Sequence, residues 1–217
     1  MNINRLSKAG SLSIITGNGA FGICSLLGVA ANLTGSVTIS AGLSTGGTLG
    51  LVNVTGVSVI QGSVTITSNY AVISGVNISG NWTLAGSLSV TAGSSSSSAS
   101  IGGISLSGLR SVSSSVTLSA MSAGITSVVF ADAPTLSIGG NLTLRASTSS
   151  STSAAMSNIS VSTTSGVVSV SGFVVIAGGG SPIRLVTILG LQSIGGLDVS
   201  TYSATGWVFD MILHRMT

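Results

Sequence analysis

One hexapeptide recurs eight times along this chain, and that recurrence constrains the fold more than any other feature. It reads Gly10-Ser-Leu-Ser-Ile-Ile15, Gly35-Ser-Val-Thr-Ile-Ser40, Gly62-Ser-Val-Thr-Ile-Thr67 and Gly86-Ser-Leu-Ser-Val-Thr91 in the first half. In the second half it reads Ser114-Ser-Val-Thr-Leu-Ser119, Gly140-Asn-Leu-Thr-Leu-Arg145, Gly172-Phe-Val-Val-Ile-Ala177 and Gly195-Gly-Leu-Asp-Val-Ser200. Successive copies begin 25, 27, 24, 28, 26, 32 and 23 residues apart. A quasi-period of this length across a whole chain marks a solenoid.

Within each copy, apolar residues alternate with small polar ones, the period of a half-buried strand. The spacing points Val37 and Ile39, Val64 and Ile66, Leu88 and Val90, Val116 and Leu118, Leu142 and Leu144, and Val174 and Ile176 inward. The leading glycine turns the chain into the strand, where its freedom at positive φ is expected to be used. A second strand precedes each hexapeptide. Aligning Gly28, Gly56, Gly80, Gly108 and Gly190 gives two apolar columns: Cys24, Val52, Val76, Ile104 and Val186, then Leu26, Val54, Ile78, Leu106 and Ile188. A third apolar position is filled by Leu33, Ile60, Leu84, Val112 and Ile138. The expected fold is all-β, a right-handed parallel β-helix (β-solenoid) of about eight coils of roughly 26 residues. The solenoid domain spans 1–206, and 207–217 is a non-repeat cap or truncated tail. A short helix there would set Asp210 against His214.

Three segments carry a family resemblance: Gly190-Leu-Gln-Ser-Ile-Gly-Gly-Leu-Asp-Val199, Leu136-Ser-Ile-Gly-Gly-Asn-Leu-Thr-Leu144 and Gly108-Leu-Arg-Ser-Val-Ser-Ser-Ser-Val-Thr-Leu118. This wording resembles the receptor L-domain family and, within it, fungal cell-wall and sporulation surface proteins. The resemblance implies an extracellular, often lipid-anchored surface protein with a right-handed β-helix. The flanking cysteines of that family are missing here, and charge is lower.

Composition narrows the function. Six Lys or Arg and three acids are the only formally charged residues among 217, against roughly a quarter of an average domain. The acids are Asp132, Asp198 and Asp210, joined by one histidine, His214, and one cysteine, Cys24. General acid–base and metal sites need carboxylates, imidazoles or thiolates in clusters, so an enzyme, a cofactor and a metal are not expected. Arg110, Arg145 and Arg184 are too scattered for nucleic acid. No run of about 18 uninterrupted apolar residues offers a transmembrane span. Cys24 sits in an apolar column and reads as a small core hydrophobe. The first residues fit the repeat better than a signal peptide, so the chain reads as a fragment if the protein is secreted.

The two longest coils hold the low-complexity tracts Ser94–Ser98 and Thr148–Ser153, read as surface loops suited to O-glycosylation. Six Asn-x-Ser/Thr sequons make Asn32, Asn53, Asn77, Asn81, Asn141 and Asn158 glycosylation candidates. Asn53 and Asn77 take the same outward place on successive coils, too close for two glycans, with an asparagine hydrogen-bonded pair as the other reading. Asn32 and Asn158 are expected in bends. Finally, Thr38, Ser40, Thr65, Thr67, Ser89, Thr91, Thr117, Ser119 and Thr143 form an outward rank. It reads as plain polar surface or as a lattice-binding face for carbohydrate or ice. The leading expectation is a non-enzymatic extracellular surface or cell-wall module, structural and adhesive, whose partner is a carbohydrate or surface protein. A lattice-binding solenoid and a filament built by end-to-end self-association are the alternatives.

Overall fold

The computed structural model describes residues 2–16, 20–41, 48–69, 71–93, 100–121, 124–146, 156–178, 183–201 and 208–214. Among these every strand pairing is parallel. Long strands stack on long ones: Cys24–Leu33 on Thr48–Ile60, then Val72–Leu84, Ile101–Val112 and Ile125–Ile138. Five-residue strands stack beside them: Leu12–Thr16, Val37–Ala41, Val64–Ser68, Leu88–Ala92, Val116–Ala120 and Leu142–Ala146. The chain is therefore a β-solenoid, as the repeat requires.

From Thr48–Ile60 onward the long strands bend at a residue of positive φ, so a turn has three limbs rather than two strands. The bend falls on the aligned glycines, with φ of 73° at Gly56, 74° at Gly108 and 77° at Gly190. A Cβ at Gly56 would fall on the carbonyl oxygen of Gly28, and one at Gly108 on that of Gly80. Glycine is needed there twice over, for its dihedral and for the close approach of the next rung. Asp132 takes the same place with φ 60° and accepts a hydrogen bond from Ser107 Oγ at 2.8 Å; Asp is one of the few side chains that tolerate this region.

The leading glycines of the hexapeptides serve a different purpose from the one expected. Gly35, Gly62, Gly86, Gly140 and Gly172 are not at positive φ. They are small because the rungs touch: the Gly86 amide donates to Gly62 O at 3.1 Å, and a Cβ on Gly86 would stand 2.5 Å from that oxygen. The serine after the glycine forms a ladder of its own. Ser36 Oγ accepts from the Ser63 amide at 3.1 Å, Ser63 Oγ from the Ser87 amide at 3.2 Å, and Ser115 Oγ from the Asn141 amide at 3.0 Å.

The core is one column of side chains inside the coil. All twelve inward hexapeptide residues from Val37 to Ile176 are at most 1% exposed. Cys24 is buried in register with Val52. Trp82, which repeats nowhere, is also fully buried beside Leu109.

Two expectations need correction. About six turns are supported, short of the eight counted from hexapeptides. Ile159–Gly178 merges a long and a short strand into one. In the final copy the inward residues Leu197 and Val199 are 44% and 43% exposed. The C-terminal segment is a strand, Val208–His214, parallel to Ile183–Leu189, and not a helix. Its β-branched and aromatic residues suit a strand, and the edge of Ile183–Leu189 provides a partner. Four residues along a strand span about 13 Å, against about one helical turn in the expected helix, so the backbones of Asp210 and His214 lie well apart.

Candidate functional site

The outward side of the short-strand sheet gathers all nine residues of the expected rank. Register fixes one column as Ser13, Thr38, Thr65, Ser89, Thr117, Thr143, Val175 and Asp198. The second column is Ile15, Ser40, Thr67, Thr91, Ser119, Arg145, Ala177 and Ser200. None of these short-strand pairings from Leu12 to Ala146 contains a bulge, so the face repeats at about 4.8 Å along the stack, with the columns about 6.6 Å apart. The hydroxyl residues from Thr38 to Thr143 are half-buried in their neighbours, while Arg145 is exposed at the margin. The result is an uncharged, regular plane of hydroxyl and methyl groups, with charge only at its C-terminal end.

A second feature lies on the first limb of the long strands. A groove of about 430 Å³ is bordered by Leu51, Asn53, Asn77, Ser105, Ser127 and Val129 and floored by Gly75 and Gly103. Register places Leu51, Gly75, Gly103 and Ser127 in one column and Asn53, Asn77, Ser105 and Val129 in the next. Columns run across the strands, so the groove is parallel to the solenoid axis. Nothing in the repeat consensus signals it, because it arises where two coils carry glycine at a single outward position.

The sequons fall in different settings. Asn53 and Asn77 are in register, as expected, and half-buried. They do not form the hydrogen-bonded pair; neither side chain is bonded within the described residues. Asn32 is exposed but lies inside the strand Cys24–Leu33, opposite Lys8 and Val59, and not in a bend. Asn81 is exposed in Val72–Leu84. Asn141 is exposed in a turn, where its Oδ1 accepts from the Phe173 amide at 2.9 Å. Asn158 is exposed just before Ile159–Gly178, with φ 51°. Both serine-rich tracts, Ser94–Ser98 and Thr148–Ser153, lie outside the described residues.

Among the described residues no three His, Cys, Asp or Glu stand close enough to hold a metal ion, and no helix is long and apolar enough to cross a membrane. Comparison with known proteins finds no family model, curated protein or solved structure that matches this chain.

Proposed function

We propose that this chain is a non-enzymatic module of a cell surface or cell wall, adhesive and structural, that lies against a regular uncharged carbohydrate through the hydroxyl face of its short strands. The observation that carries this reading is the unbroken register of the two hydroxyl columns between Thr38 and Thr143. A flat face with a fixed repeat meets a repeating polymer at many points at once. Weak contacts then add through multivalency without any deep pocket. The absence of charge on the plane fits a neutral polymer, because a neutral partner gives nothing back for the desolvation of a charge.

The extracellular location is supported by the sequons and by the likeness of the coil wording to receptor L-domain repeats. Right-handed winding belongs to the same reading, as does glycosylation at exposed sequons, Asn158 foremost. Binding of an ice surface is the alternative that the same regular plane favours.

The test is co-sedimentation of the purified chain with insoluble neutral polysaccharides, beside Thr65→Tyr and Thr117→Tyr together. Two bulky rings in one column break the plane without touching the core. Retention that falls at least about tenfold, roughly 1.4 kcal/mol, with melting temperature held, is the expected result. Equal retention of the variant sinks the hydroxyl face as the contact surface. Inhibition of ice growth without polymer retention moves the proposal to ice.

A further inference from the structure

Gly103 is a glycine that the fold does not require. It is not at positive φ, and a Cβ built on it meets nothing within 4 Å. Its neighbour Gly102 differs, since a Cβ there would fall on the Ser74 carbonyl oxygen. Glycine inside a strand is destabilising relative to alanine. Where packing does not demand it, such a glycine marks a place that another molecule approaches closely. Gly75, in register with it on the preceding rung, is buried beside the Leu51 side chain, so the bare part of the floor is Gly103.

We infer that the groove over Gly75 and Gly103 binds a linear, uncharged, β-1,4-linked saccharide chain lying parallel to the solenoid axis. No charged side chain lines it. Among the described residues no hydrogen bond engages the amides of Asn53 and Asn77, each of which offers a donor and an acceptor. The Ser105 hydroxyl stands on the next rung, and that of Ser127 beyond it is held by Asn158, donating to its carbonyl and accepting from its Nδ2 at 3.5 Å. Bare backbone gives a flat floor on which the C–H face of a pyranose ring rests. The rung interval of about 4.8 Å is close to the length of one ring, so neighbouring sugars of one chain meet Asn53, Asn77 and Ser105 in turn. A straight axial groove fits an extended ribbon and not a coiled α-linked chain. An added peptide strand is disfavoured, because peptides of that kind pair with a free sheet edge. Here Thr48–Ile60, Val72–Leu84 and Ile101–Val112 are each paired on both sides.

This site is on a different sheet from the hydroxyl face and does not rest on it. The experiment titrates the full chain, produced without glycans, with cellohexaose and with chitohexaose by calorimetry. Saturable binding of at least one is expected. Gly103→Leu fills the groove and should weaken that binding at least about tenfold, with a melting temperature equal to or above that of the parent. Asn77→Ala should weaken it severalfold, and Arg110→Ala, an exposed change outside the groove, should leave it unchanged. The inference is overturned if neither hexasaccharide binds, or if Gly103→Leu binds as the parent does. It is also overturned if Gly103→Leu lowers the melting temperature, which would give the glycine a structural role. A glycan attached to Asn77 in the native protein would close the groove and overturn it as well.

Discussion

The indole nitrogen of Trp82 donates to the backbone oxygen of Ser107 across one rung, at 3.1 Å. The ring itself is fully buried, so the largest side chain of the core is also tied to the next turn. Trp82→Phe keeps much of the volume and removes the donor, for an expected loss of about 1–2 kcal/mol. Trp82→Ala adds a cavity and should cost about 3–5 kcal/mol. Urea unfolding followed by circular dichroism measures both, and a Trp82→Phe variant as stable as the parent would contradict the part assigned to the hydrogen bond.

Two glycines five residues apart should respond to alanine with opposite sign. Gly108→Ala places a methyl group at φ 74° and against the Gly80 carbonyl; the dihedral alone costs about 1–2 kcal/mol, and the clash adds to it. Gly103→Ala meets no atom and should stabilise by up to about 1 kcal/mol. Thermal melts of the two variants settle the pair, and a destabilised Gly103→Ala would give that glycine a structural role.

The serine ladder predicts a local effect on hydrogen exchange. Ser63→Ala removes the acceptor of the Ser87 amide and the hydroxyl partner of Ser87 Oγ at 3.3 Å. The Ser87 amide should then exchange faster, and stability should fall by about 1 kcal/mol. Unchanged protection at Ser87 would show that the ladder bond carries little.

Asn53 and Asn77 should not both carry glycans. Their backbones lie on adjacent rungs about 4.8 Å apart, less than the width of two sugar trees. Glycopeptide mapping of protein from a glycosylating host is expected to find at most one of them occupied on any molecule. Peptides spanning both sites with two glycans would overturn this.

Much of the fold was legible because it is written many times. Each inward hexapeptide pair and each glycine bend recurs, so an error at one coil is corrected by the others. The nine-residue hydroxyl rank was legible for the same reason. What occurs once was not. The rung above Ala133–Thr135 makes a detour at Thr163–Gly166, where the ladder register shifts. There Ser162 Oγ donates to Phe130 O at 3.5 Å, Thr164 Oγ1 to Ala133 O at 3.2 Å, and Ser165 Oγ to Pro134 O. No repeat announces such a detour. The groove over Gly103 was hidden likewise, since alignment averages away a position that is glycine in only two coils. The tail misled for another reason: the pattern from Val208 to His214 fits helix and strand alike until the free edge of Ile183–Leu189 is known.

Because each rung of a solenoid touches only its two neighbours, the hydroxyl columns have a fixed width and an adjustable length. Duplicating one regular coil would lengthen the plane by about 4.8 Å and leave every existing contact as it is. The molecule is in that sense a graduated ruler, and its reach along a polymer can be reset by gene duplication in whole divisions.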